Sequence, residues 1–213
     1  QYPVSSPDGV ALANKGGGFE VLGNEAIVDT GEGNAYGVEL LFQQKLSKNF
    51  YGNFAYTFFY SEFTGRNGNY LPSVWDSRHL ISFTGGYKLK RNWEISSRWR
   101  FAGNTPYVPT DVVNTLVSYP EITLNYGALG TVQLDPFNQV DIRFDKKWNG
   151  KRFSWNFYFE IQNLFAQATP LPEEYGLARS ETGEELSPRA LVLISNEQQN
   201  NIPIPSFGFV IDF

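Results

Sequence analysis

Phe207-Gly-Phe209-Val-Ile211-Asp-Phe213 is the stretch whose reading decides the fold. Four apolar side chains at period two (Phe207, Phe209, Ile211 and Phe213) fall on one face of an extended segment, because successive side chains of a strand point to opposite sides. A soluble domain rarely leaves so apolar a terminus uncovered, whereas a strand that closes a barrel in lipid needs that face. The stretch points to an outer-membrane β-barrel.

Composition is compatible with that. Aromatic residues make up 16% of the chain and charged residues 18%, the latter below the roughly 25% usual for soluble domains. No run approaches the length of about 18 apolar residues that a transmembrane helix needs. The mean hydropathy of −0.33 is no obstacle, because a membrane barrel shows lipid only every second residue. A net charge of −5 and a pI near 5.0 argue against nucleic acid as a partner. The absence of cysteine excludes a disulfide scaffold and a thiolate metal site. With no signal peptide and no methionine, the sequence reads as a processed chain or a piece of one.

Period-two alternation predicts seven strands, at Asn34–Leu46, Phe50–Glu62, Arg78–Leu89, Trp93–Gly103, Phe137–Trp148, Arg152–Phe165 and Ser206–Phe213. All twelve prolines lie outside these spans, as expected of a residue that cannot donate to a ladder. Three connections are tight: Ser47-Lys48-Asn49, Lys90-Arg91-Asn92 and Asn149-Gly150-Lys151. Asn-Gly suits a type I′ turn, since both residues tolerate positive φ. Phe63–Ser77, Asn104–Pro136 and Ala166–Pro205 are long and rich in Pro, Asn, Gly and Ser. Short turns at one rim and long loops at the other are the outer-membrane arrangement, with the turns periplasmic. Counting along the strands places Phe213 at the short-turn rim.

Two faces separate. One carries residues such as Tyr36, Val38, Phe42, Phe54, Tyr56, Phe58, Phe83, Trp99, Phe144, Trp155, Phe157 and Phe159. The other carries Glu39, Gln43, Asn53, Arg98, Arg100, Asp141, Arg143, Asn156 and Glu160. Ser97, Asn163, Leu41, Phe59 and Leu80 misfit. Trp93, Trp148, Trp155 and Phe50 sit near the tight turns, where an interfacial aromatic girdle would place them. A soluble β-sandwich has the same alternation and would bury the aromatic face. Loop asymmetry, rim aromatics and strands of about 12 residues favour the barrel.

Gly33-Asn34-Ala35-Tyr36-Gly37-Val38-Glu39-Leu40 resembles a barrel strand of TonB-dependent outer-membrane receptors. Asp76-Ser77-Arg78-His79, Phe101-Ala102-Gly103-Asn104-Thr105-Pro106-Tyr107, Asp141-Ile142-Arg143-Phe144-Asp145-Lys146-Lys147 and Ile161-Gln162-Asn163-Leu164-Phe165 are similar to the family's closing strands, in the family's order. The resemblance covers nearly the whole chain. It implies the C-terminal part of an antiparallel up-and-down barrel of 22 strands, the size that carries a plugged lumen. It also implies import of a ligand such as a metal chelate, glycan or peptide across the outer membrane of a Gram-negative bacterium. The implied partners are outer-membrane lipid, the plug and N-terminal strands of the same receptor, the TonB energy-transducing complex and a surface lipoprotein. Phe209, Ile211 and Phe213 become the signal read by the insertion machinery. Neither plug nor TonB-binding segment is visible, so residues 1–33 are expected to be a strand tail and an outer loop. A small complete barrel with a structural, adhesive or passive-pore role is the alternative, and would need one more strand from residues 1–33.

Catalysis has little support, and neither a cofactor nor a metal is implied. Glu39, Glu94, Asp141, Asp145 and Glu160 share a face with Arg98, Arg100, Arg143, Lys147 and Arg152, so cross-strand ion pairs are expected rather than an acid/base set. His79, the single histidine, falls by parity on the aromatic face near the loop rim, which leaves a Ser/His/Asp or His-metal site without its parts. The long loops hold the candidate ligand contacts: Tyr107, Tyr119, Tyr126, Tyr175 and Arg179, with Glu173, Glu174, Glu181 and Arg189 nearby. Pro106 and Pro109 read as a stiffened loop base.

Overall fold

The structure is a computed structural model that describes residues 2–15, 24, 26–194 and 202–212. In chain order the strands are β1 (Tyr2–Ser5), β2 (Ile27–Gly31), β3 (Gly33–Ser47), β4 (Phe50–Thr64), β5 (Tyr70–Pro72) and β6 (His79–Lys88). They continue with β7 (Trp93–Ala102), β8 (Phe137–Asn149), β9 (Ser154–Gln162), β10 (Glu174–Leu177), β11 (Leu191–Ile194) and β12 (Ile204–Asp212). One short helix, α1 (Val112–Ser118), lies between β7 and β8. The seven expected strands form one antiparallel meander in the order β12-β9-β8-β7-β6-β4-β3, with β5 added against the end of β4. The path is open among the described residues: β3 and β12 are its edges and do not pair with each other.

Turn chemistry sets the hairpins, though not as expected at one of them. Lys48 (φ 50°) and Asn49 (φ 92°) take positive φ, as do Arg91 (φ 59°) and Asn92 (φ 58°). Such pairs match the twist of the strands they join. Asn149 and Gly150 do not. Here β8 and β9 are joined more loosely by residues 150–153, with Gly150 N–H donating to the Phe153 carbonyl at 2.9 Å. Arg152 is therefore in a turn, not on the inward ladder. Two other boundaries contract for the same kind of reason: Arg78 (φ 59°) precedes β6, and Asn163 (φ 53°) ends β9. The proline rule fails at Pro205, which lies inside β12 opposite Ile161. An edge strand leaves one row of donors unpaired, so proline is tolerated there. Pro3 and Pro72 likewise fall within the short strands β1 and β5.

Register carries the aromatic face across all seven strands. Phe42 pairs Phe54, which pairs Phe83, which pairs Trp99, which pairs Val140. Ile95 pairs Phe144, which pairs Phe159, which pairs Phe207. Not one aromatic or aliphatic side chain of this face is buried, and Val38, Phe207 and Phe209 are 69%, 74% and 64% exposed. No second layer covers it among the described residues, which do not fold on themselves as a sandwich. His79 lies on this face opposite Phe58, its Nδ1 2.9 Å from the Tyr56 hydroxyl.

The opposite face is a polar ladder. Arg98 lies directly opposite Asp141 and donates to it through Nε (2.9 Å) and a terminal nitrogen (2.6 Å). Gln139 and the Asn163 backbone N–H complete the ring of donors on that buried carboxylate. Arg143 pairs with Asp145 on its own strand (2.8 Å) and reaches Glu160 across the ladder (3.6 Å). Glu94 departs from the expected pairing by accepting from the Tyr51 hydroxyl instead of a base. Tyr51 lies across Gly86, where a Cβ would meet its Cζ at 2.6 Å, and Tyr158 lies across Gly208 in the same way. Gly86→Val should lift the Tyr51 ring, break its bond to Glu94 and cost about 1–3 kcal/mol. The urea midpoint of the assembled protein would read this, and an unchanged midpoint would count against the packing role of Gly86.

All long connections lie at the other end of the strands, and they are more ordered than their composition suggests. Within residues 1–33, β1 and β2 pair with each other. β10 and β11 form a hairpin within the last long connection. Among the described residues the buried hydrophobic ones, Val4, Val10, Ala11, Leu129 and Ala178, are all in this loop layer. The molecule's small core therefore sits beyond one end of the sheet, not against its aromatic face.

Candidate functional site

The loop layer is tied together by side chains that reach over long sequence distances. After β7, Gly103 N–H donates to the His79 carbonyl at 2.8 Å, and Asn104 Nδ2 donates to the Leu134 carbonyl at 2.9 Å. Bridges pair Pro106 with Gln133 and Thr110 with Leu124. Asp111 caps α1 by accepting from Asn114 N–H at 3.0 Å. That donation holds the Asp111 carboxyl below its ordinary pKa. Buried Thr115 accepts from Thr123 N–H at 3.0 Å, which docks the helix onto the next segment. On the β6 side, Asp76 accepts from its neighbour Arg78 at 3.0 Å, and the guanidinium lies 3.7 Å from the Tyr60 ring centroid.

These ties leave a cavity of about 340 Å³ in the loop layer. Trp75, Pro106, Tyr107, Tyr126 and Leu171 are among the residues of its wall, and Asn14 lines it too. Asn14 is 2% exposed, and neither its Oδ1 nor its Nδ2 has a hydrogen-bond partner among the described residues. A buried carboxamide without partners costs about 1–3 kcal/mol. Lys15 is engaged by Asp8 at 2.8 Å and lies 5.3 Å from the Tyr126 ring centroid. Burial, then the neighbouring Glu173 carboxylate, pushes the Tyr107 phenol above its ordinary pKa. Tyr175 donates to Glu173 at 2.7 Å, which raises its own pKa. Both phenols stay protonated through the neutral range and can donate.

Of the expected ligand contacts, Tyr107 and Tyr126 converge on the cavity, and Tyr175 stands beside it through Glu173. Tyr119 does not line it: the residue ends α1. Arg179 is turned into a local bond, donating to the Gly183 carbonyl at 2.9 Å. Pro106 proves to be part of the cavity wall as well as of the loop base. Trp75, Asn14 and Leu171 went unnoticed in the sequence. The Pro170-Leu171-Pro172 stiffening and the position of Trp75 beside the Asp76-Ser77-Arg78 turn were usable signals for two of them; Asn14 had none. Phe209 and Ile211 lie in β12 opposite Phe157 and Trp155, whereas Phe213 is outside the described residues.

The wall combines flat aromatic and proline surfaces with two phenols, one carboxamide, Lys15 and Thr105, a mixture that suits binding of a small ligand. Among the described residues no cluster of His, Cys, Asp and Glu has the makings of a metal site. Comparison of the chain with protein-family models, curated proteins and solved structures gave no match.

Proposed function

We propose that this chain is part of the wall and outer loops of a transmembrane β-barrel in a Gram-negative outer membrane, belonging to a TonB-dependent receptor that imports a ligand. The observation that carries the proposal is the aromatic face: in register over seven strands, unburied throughout, with the ordered loops gathered beyond one end of the strands only. A sheet of that kind suits a lipid environment on one side and a wet lumen on the other. Its two free edges favour completion by further strands, since an open edge in lipid leaves backbone groups unsatisfied at several kcal/mol each. The ordered motif series quoted above supports the receptor family, and the loop cavity supports ligand capture. The second reading, a small complete barrel, is favoured by no comparable observation, because β3 and β12 do not meet.

This chain contributes no cysteine of its own, so a single substitution in it is labelled against a background in which the rest of the protein has been made cysteine-free. In the intact protein on whole cells, Glu181→Cys is expected to react with a membrane-impermeant maleimide, and Lys151→Cys only after the outer membrane is permeabilised. Labelling of both sites on intact cells would sink the topology. Import is tested with labelled ferric chelates, cobalamin, oligosaccharides and peptides. Uptake of one of these should stop without the energy-transducing complex while its surface binding persists, and uptake that continues would leave a passive pore.

A further inference from the structure

We infer that the short-turn end of the aromatic face binds the phosphate of an anionic glycerophospholipid, with Lys146 as the centre of the site between Trp93 and Trp148. The inference rests on the membrane reading above and goes beyond it, because it concerns what the barrel wall recognises in its own bilayer.

Charge is distributed unevenly along the sheet axis. Residues 45–51, 87–94 and 145–155, which surround the three short turns, hold nine of the 17 Lys and Arg residues and only two of the 22 Asp and Glu residues. That end is strongly basic in a chain whose net charge is −5. Most of these bases are in turns or on the polar face. Lys146 is not. It pairs with Trp93 on one side and Phe157 on the other, and so stands on the aromatic face, the one Lys or Arg in the paired registers of that face.

The surroundings of Lys146 make it a site and not a stray charge. Its Nζ lies 5.1 Å from the Trp93 ring centroid and 5.5 Å from that of Trp148, and it donates to the Arg91 carbonyl. Two indole faces and a carbonyl orient the ammonium, yet none of them carries a negative charge. The nearest acids in register, Glu94 and Asp145, belong to the opposite face, where they are taken up by Tyr51, Arg143 and Asn156. Arg91 and Lys90 stand in the adjoining turn. Indole rings settle at headgroup depth, so the ammonium is held where a lipid phosphate lies, and a phosphate diester supplies the missing anion. A headgroup with net negative charge is preferred to phosphatidylcholine, whose own trimethylammonium competes for the phosphate.

The test uses the intact protein in phosphatidylcholine nanodiscs containing a minor fraction of brominated lipid, with tryptophan quenching as readout. Brominated phosphatidylglycerol should be enriched about fivefold at the protein over brominated phosphatidylcholine at equal fraction, as one ammonium near a bilayer surface predicts. Lys146→Gln should bring the two lipids to parity, while Lys147→Gln, one residue away on the polar face, should keep the preference. Excess inorganic phosphate should leave the preference in place; its loss would reassign the site to free anions and overturn the lipid assignment. Equal quenching by both lipids in the unaltered protein, or a preference that survives Lys146→Gln, would overturn the inference while leaving the membrane reading intact. Quenching by neither lipid would overturn both.

Discussion

Phe54→Arg is expected, on the proposed membrane reading, to destabilise the assembled protein by about 2–4 kcal/mol, the cost of an arginine on a lipid face near mid-bilayer. Phe54 stands on the aromatic face between Phe42 of the edge strand and Phe83 in the ladder, several residues from the short turn at Lys48 and Asn49. An arginine there cannot reach either headgroup layer without bending the strand. Asn53→Arg, the adjacent position, faces the polar side opposite Gln43 and Thr84 and should cost far less. Urea titration of both variants in lipid vesicles measures the difference. Equal tolerance at the two positions would remove the membrane assignment, because a solvated sheet has no reason to discriminate between its faces so strongly.

Asp141→Ala should cost roughly 2–4 kcal/mol, through loss of several charge-assisted hydrogen bonds at one buried carboxylate. Asp141 is 4% exposed and accepts from Arg98, Gln139 and the Asn163 backbone. The Arg98 side chain is 44% exposed, so it can recover water when its partner is removed, and the loss stays below that of a fully buried pair. The consequence is local as well as global. Asn163 turns the chain out of β9 by bonding Gln167 through both ends of its carboxamide (2.9 Å each), and its own N–H is held by Asp141. Proteolysis at residues 163–167 should therefore accelerate in Asp141→Ala and not in Glu39→Ala, whose carboxylate faces Thr57. A wild-type midpoint and an unchanged cleavage rate would show that Asp141 is an ordinary charge of the polar face.

Period-two alternation is a local property: each strand residue reports its own face, whatever its partners are. For that reason the seven strands, their order, the two faces and the gathering of long loops at one end were legible in residues such as Phe54, Tyr56, Phe58 and Arg98, Arg100. The ends of strands were less legible, because a boundary depends on which residue takes positive φ. Lys48-Asn49 and Arg91-Asn92 do so, while the stronger turn signal at Asn149-Gly150 does not. Pro205 entered a strand because β12 is an edge, a fact of tertiary arrangement. The cavity was decided almost wholly by the tertiary structure. Trp75, Tyr107, Tyr126 and Leu171 meet through bonds such as Asn104 to Leu134 and Ser77 to Thr105, which join loops with no periodicity of their own. Asn14 acquires its meaning only when β1 and β2 place it there, and Lys146 only when register sets it between Trp93 and Trp148. Which face a strand residue occupies follows from spacing along the chain, whereas which loops share a wall follows from contacts whose cost in chain entropy is met only once the sheet has brought their ends together.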